Sequence, residues 1–203
     1  MRPAAKLGDV PSSTANTREA ILERAVDIAS TQGLEGLTIG GLASELGLSK
    51  SGLFGHFGSK EELQLATVRQ AAVRFIKQVV EPAQREPEGL ERLRALCEGY
   101  LDHLASDVFP GGCFWAAAAT EFDGRPGPVR DAVREATAAW LGELERQARS
   151  AGAEDPRQLA FELQAAVAAA NWSFQLFEDR AAFDRARRAM DRLLSANPVA
   201  DLS

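Results

Sequence analysis

The chain is predicted to be all-α, and three observations carry that prediction. β-Branched residues never alternate with polar ones over a useful run, so strand signals are nearly absent. Apolar residues recur instead at spacings of three and four over most of the length. Glycine, proline and capping Ser, Thr and Asp residues interrupt those runs and divide them into about nine helices. At 203 residues the chain can bury a real core, as one domain or as a small one plus a larger one. The organisation read from it is a tail over 1–13, a three-helix unit over 14–67 and a larger helical unit over 68–203.

The tail is rich in Pro, Ser and Ala, a composition expected to be disordered. The first helix, α1, is predicted from about Arg18 to Gln32, with Ile21, Ala25 and Ile28 inward and Leu22 and Ala29 on the flank. Gly33 closes it. The next 26 residues, Thr38 to Leu63, read TIGGLASELGLSKSGLFGHFGSKEEL. Thr38 is a good N-cap for α2, whose Ile39, Leu42, Ala43 and Leu46 share a face, and Gly47 ends it where a left-handed residue is usual. Ser49 caps a short α3, Lys50 to Phe57. Leu53 and Phe57, four apart, must face the core, which leaves Lys50, Ser51, Phe54 and Gly55 pointing outward. Gly58 stops α3. Ser59 caps α4, with Glu62 three residues on as a capping box. This helix is predicted to run from Lys60 to about Val80, before Pro82, with Leu63, Ala66, Val73, Ile76 and Val80 on its apolar face.

The break from Pro82 to Gly89 precedes α5, about Leu90 to Asp107, with Leu93, Leu96, Tyr100, Leu101 and Leu104 inward. Phe109-Pro110-Gly111-Gly112 interrupts the chain sharply, and a short apolar α6 follows from Cys113 to about Glu121. A second breaker, Asp123 to Pro128, leads to α7, about Val129 to Ser150, with Val133, Ala136, Trp140, Leu141 and Leu144 inward. Helix α8 is predicted from about Pro156 to Phe177 and α9 from about Ala181 to Ala196. No internal repeat is visible.

The segment Thr38–Leu63 has the outline of a helix-turn-helix, which lays its second helix in the DNA major groove. Two glycines inside so short a helix cost about 1 kcal/mol each. They make sense where a sugar-phosphate backbone must come close. The candidate DNA-contacting residues are Thr38, Ser49, Lys50, Ser51, Gly52, Phe54, Gly55, His56 and Lys60. The partner expected is double-stranded DNA carrying a palindromic operator. Positive charge is thin. The whole chain carries a net −6, and residues 1–67 hold six Lys and Arg against eight Asp and Glu, a net of −2. Few neutralised phosphates mean modest non-specific affinity, which favours a dimer that sums two half-sites. Lys50 and Lys60 bracket the proposed reading helix, Arg18 lies near the start of α1, and Arg2 and Lys6 offer a basic arm for a minor groove.

The same stretch resembles the DNA-binding domain of the TetR family of transcriptional regulators. Gly47, Leu48, Ser49, Leu53, Phe54, His56, Phe57, Lys60 and Leu63 stand at the places of that family's run, and Thr17 to Leu22 with Gly33 matches upstream. The likeness covers roughly Thr17 to Thr67, a third of the chain. One departure is Phe54, where the family usually has Tyr: the ring can still pack on sugar or a thymine methyl, but a hydroxyl contact to phosphate is lost. The resemblance implies a two-fold dimer built by the last two helices and an effector pocket in the C-terminal unit, with repression more usual than activation.

The residues themselves support both expectations. Helix α8 is apolar on nearly every face, with an unbroken Ala165–Ala170 stretch containing only Val167 besides alanine, so it should be buried on two sides. The expected homodimer interface uses Phe161, Ala165, Ala168 and Ala169 of α8 with Phe183 and Met190 of α9. All three tryptophans fall beyond residue 67, on three different helices. Large aromatics among many alanines can leave a cavity between helices. Its expected lining is Tyr100, His103, Phe114, Trp115, Trp140, Asn171 and Trp172, with Thr120 and Glu121 as further polar candidates, and its occupant an unknown small-molecule effector.

Other function classes find little support. No nucleophile beside a base, carboxylate pair, phosphate loop or metal spacing appears, so no enzyme, cofactor or metal is expected. Cys97 and Cys113 form no CxxC and read as reduced, buried thiols. The N-terminus lacks an apolar h-region, and Leu163–Phe177 is too short and polar to span a bilayer, so a cytoplasmic protein without membrane contact is expected. The rival to a ligand-responsive DNA-binding repressor is a dimeric helical ligand-binding scaffold that has lost DNA binding.

Overall fold

A computed structural model describes residues 14–106 and 109–196, and these are helical with short connections. The expected tail, with Arg2 and Lys6, lies outside the described residues. Nine helices follow in order: α1 (Thr14–Gln32), α2 (Ile39–Leu46), α3 (Lys50–Phe57), α4 (Lys60–Phe75, continued by a π-helical turn Ile76–Val80 and a last turn Glu81–Ala83), α5 (Leu90–Ala105), α6 (Phe114–Phe122), α7 (Pro128–Ser150), α8 (Pro156–Phe177) and α9 (Ala181–Ala196).

Local chemistry sets the ends. The side chains of Thr38, Ser49 and Ser59 accept from the amides of Gly41, Gly52 and Glu62 at 3.0, 3.1 and 3.1 Å. Gly47 and Gly58 close α2 and α3 at φ of 66° and 70°, where a side chain is strained. Only half of the expected capping box forms, because the Ser59 amide donates instead to the Phe57 carbonyl at 2.8 Å.

Helix α4 departs from expectation in two ways. Its buried stripe steps by four through Leu63, Thr67, Ala71, Phe75 and Val79, so Val73 and Ile76 turn outward. It also does not stop before Pro82. The Glu81 amide reaches back five residues to the Ile76 carbonyl, and this wider π turn makes room for a ring that lacks an N–H and would otherwise clash one turn back.

The core forms two clusters. One joins α1–α3 and the first half of α4 to Phe109, Phe114, Ala118, Phe122, Val129 and Val133. The three-helix unit therefore does not close on itself: α6 and the start of α7 supply part of its interior. The second cluster lies between the end of α4, α5, α7, α8 and α9, and Trp115 bridges the two.

Polar contacts tie the same junction. The Glu121 carboxylate accepts from the Leu34 and Glu35 amides at 2.7 and 3.1 Å, in the turn between α1 and α2. Buried Gln64 donates to the Leu34 carbonyl at 2.8 Å. Arg74 donates to Asp27 at 2.8 Å, pairs with Glu23 and lies over the Phe109 ring. The Gly111 amide donates to Ser30 Oγ at 3.2 Å, and a Cβ on Gly111 would sit 1.9 Å from the Ser30 carbonyl oxygen. No flexible side chain can yield there, since the obstacle is backbone. Gly111→Ala should therefore destabilise the protein by about 2–3 kcal/mol, read as a lowered midpoint in urea, whereas Gly124→Ala, with open space around it, should be nearly neutral.

Candidate nucleic-acid interface and interior cavity

The reading head is built by opposing faces of α3. Leu53 and Phe57 are buried against α1, α2 and α4, while Lys50, Ser51, Gly52, Phe54 and Gly55 are exposed. Phe54 stands 54% exposed with no aromatic partner among the described residues, an outlay of apolar surface on a short helix that nothing inside the protein requires. A Cβ on Gly55 would meet nothing within 4 Å, so this glycine too answers to no internal contact. The Lys50 stem passes Gly40 of α2, and Arg18 lies over the Phe57 ring, both on this side of the molecule.

Three expected members are less free. Thr38 and Ser49 spend their hydroxyl oxygens on the caps of α2 and α3. Lys60 donates to Glu35 at 2.7 Å, and that hydrogen bond lowers the Glu35 carboxyl from its ordinary value despite opposing desolvation. Arg125 also reaches Glu35, at 3.6 Å. A pairing partner 25 residues away was not legible in the local motif.

Between α4, α5, α6, α7 and α8 lies a cavity of about 780 Å³. Phe75, Ile76 and Val80 line it from α4 and its π turn, Tyr100 and Leu104 from α5, and Trp115, Ala116, Ala119 and Thr120 from α6. Ala136, Thr137, Trp140 and Glu143 line it from α7, and Gln164, Val167, Ala168, Asn171, Trp172 and Leu176 from α8. Of the expected lining, Tyr100, Trp115, Trp140, Asn171 and Trp172 meet here. His103 and Phe114 do not. Phe114 is buried in the N-terminal core cluster. His103 is wedged edge-on between Phe75 and Phe109, its Nδ1 2.8 Å from Gln78 Oε1. Glu121, another polar candidate, is spent on the α1–α2 turn. Sequence reading missed the π turn of α4, the polar wall of Glu143 and Gln164, and the alanines of α6.

The cavity mouth meets an exposed apolar stripe on α8. Phe161, Ala165, Ala168 or Ala169, Trp172 and Leu176 follow one another by three or four residues, and all are exposed, as is Phe177, edge-to-face on Trp172. The expectation that α8 is buried on two sides holds for one side only within a single chain. Phe183 and Met190, expected in the same interface, are buried instead in the protomer's own core. The apolar face of α9 is consumed in covering α8 and α5, so α9 turns Arg185, Arg188, Asp191 and Arg192 outward.

Both thiols are buried. Desolvation pushes Cys97 up to about 12 and raises Cys113, whose Sγ lies 3.3 Å from the Tyr100 hydroxyl. Neither is a ready nucleophile. Among the described residues no cluster of His, Cys, Asp and Glu could hold a metal ion, and no helix is long and apolar enough to cross a membrane.

Burial, with a smaller contribution from the Arg74 charge, depresses His103 to about 4 from an ordinary value near 6.5. The unfolded chain then binds the extra proton first, so stability from this group is full above pH 6.5 and is lost as pH falls toward 4. His103→Gln should flatten the wild-type fall in melting temperature across that window, measured by thermal unfolding at stepped pH.

Comparison with known proteins agrees with this geometry. Residues 21–67 match the domain described as bacterial regulatory proteins, tetR family, and residues 89–190, half of the chain, match the tetracyclin repressor-like C-terminal domain. The transcriptional repressor AcnR of Corynebacterium efficiens is 40% identical over 74 residues, which cover 36% of this chain and 38% of that relative's length. A TetR-family regulator from Cytophaga hutchinsonii superposes with a TM-score of 0.79 at 21% identity, over 94% of this chain and all of the other. AibR, solved in complex with isovaleryl coenzyme A and operator DNA, gives 0.66 at 22% identity, over 90% of this chain and 99% of the other.

Proposed function

Because the chain belongs to the TetR family of bacterial regulatory proteins, we propose that it is a homodimeric, cytoplasmic repressor that leaves its operator when a small apolar molecule enters the cavity. The observation that carries the reading is one continuous structure: an outward α3 with unexplained Phe54 and Gly55, joined through α4 and the Glu121 clasp to walls of an interior cavity. Lys50, Ser51, Phe54 and Gly55 read the operator; Ser49, Thr38 and Gly52 bring helix amides and backbone close to phosphate. His56 lies on the flank. Lys60 reaches phosphate by giving up Glu35.

The mechanism is a coupling free energy between two sites. Helix α4 begins at the reading head and ends, after its π turn, in the cavity wall. Helix α6 presents Trp115, Ala116 and Thr120 to the cavity and Glu121 to the α1–α2 turn. A ligand that repacks either wall moves the reading heads, and a fixed half-site spacing then fits less well. About 100-fold release needs roughly 2.7 kcal/mol of preference for the unbound posture.

Selection of operator fragments from the source genome, followed by gel-shift, tests the reading. Lys50→Ala should weaken specific binding by about 1–3 kcal/mol if the lysine reads a base, and Phe54→Tyr should retain or tighten it. Absence of any selected sequence favours a ligand-binding scaffold without DNA function.

The dimer is expected to close over the α8 stripe, which is too apolar to face water. Sedimentation at micromolar concentration should give twice the 21.8 kDa chain mass. Ala169→Glu, which places an unpaired charge in that contact, should shift the species to monomer with the helical spectrum intact. A wild-type monomer that still binds operator tightly contradicts the two-half-site account.

A further inference from the structure

Among the buried polar side-chain atoms of the residues that line the cavity, two have no partner. The hydroxyls of Thr120 and Thr137 donate to the Ala116 and Val133 carbonyls at 3.0 and 2.9 Å. The Trp140 Nε1–H donates to Gln164 Oε1 at 2.8 Å. Glu143 is held by Arg146 at 2.6 Å and by the Gln147 amide at 3.0 Å, so its charge is already compensated. Trp115 Nε1 on α6 and Asn171 Oδ1 on α8 are buried without a partner, and both residues line the cavity. A buried donor and acceptor left unmade are costly, which marks where an occupant must supply bonds.

The charge of the wall narrows the choice further. No Lys, Arg or His is among the lining residues, so an anion would be buried unpaired. A cation would face a single carboxylate, Glu143, which Arg146 and Gln147 already hold. Phe75, Tyr100 and Trp140 pack edge-to-face on one another, with centroids 4.9 to 5.2 Å apart, and so are fixed as a packed cluster in the wall.

We infer that the cavity takes an uncharged, predominantly apolar molecule bearing a hydroxyl, whose oxygen accepts from Trp115 Nε1–H and whose hydrogen is donated to Asn171 Oδ1. This rests on the reading of the cavity as the effector site. The same wall disfavours carboxylic acids, coenzyme A thioesters and ammonium compounds, and the inferred ligand class is different from that of AibR.

The test is calorimetric titration of the full-length protein, without DNA, with four probes of one shape: β-naphthol, β-methylnaphthalene, β-naphthoate and β-naphthylmethylammonium. β-Naphthol should bind at least about tenfold more tightly than each of the others. Trp115→Phe should bring β-naphthol and β-methylnaphthalene to within about twofold of each other. Asn171→Leu should do the same from the opposite wall and stands in should Trp115→Phe fail to fold. The assignment is overturned if either ion binds as tightly as β-naphthol, if none of the four binds, or if both variants keep the preference for the hydroxyl. Operator release is measured apart. β-Naphthol that binds as expected but releases no operator leaves the ligand class standing and removes the regulatory reading. An ion that binds best and does release operator does the reverse.

Discussion

The rest of the molecule depends on the junction between α6 and the turn after α1. One carboxylate, Glu121, accepts two successive backbone amides there, and these donors belong to the segment that leads into the helix-turn-helix. A carboxylate on amides makes a strong, directional bond with little slack. Around it Phe114, Phe122 and Val133 complete a core that the three-helix unit lacks by itself. The head is thus not a bead on a linker. Its posture is set by a helix whose other residues form the wall of a cavity, and that is the physical condition for one site to sense the other.

The same economy explains the distribution of polar and apolar surface. Helix α9 turns its apolar face inward and leaves charge outside; α8 covers the core with one face and leaves a second apolar face open. That open face runs into the cavity mouth through Ala168, Trp172 and Leu176. Whatever covers the stripe also borders the cavity, so subunit packing and cavity shape are physically linked.

Much of this was legible in the sequence because local rules decided it. Thr38, Ser49 and Ser59 cap the helices they were expected to cap, and Gly47 and Gly58 close them in the left-handed region. The inward and outward faces of α3 followed from the spacing of Leu53 and Phe57 alone. What stayed hidden was non-local. Lys60 pairs with a residue 25 positions away, and Glu121 with amides 86 and 87 positions away. Met190 and Phe183 could not be assigned to core or interface, since an amphipathic face says that something is covered and not by what. His103 read as a cavity residue because it sits between Tyr100 and Leu104, which line the cavity, but its ring lies against Phe75 and Phe109 instead. The π turn of α4 had no local signal beyond Pro82, which reads equally well as a stop.

The coupling claim can be tested without an identified effector, because linkage is reciprocal: if the cavity influences the operator, the operator must influence the cavity. All three tryptophans lie outside the reading head, and all three line the cavity. Titration of a selected operator should therefore change tryptophan emission, non-specific DNA of equal length should not, and Glu121→Ala should bind operator with the change much reduced. Tight operator binding by the wild-type protein with tryptophan emission unmoved would contradict the account.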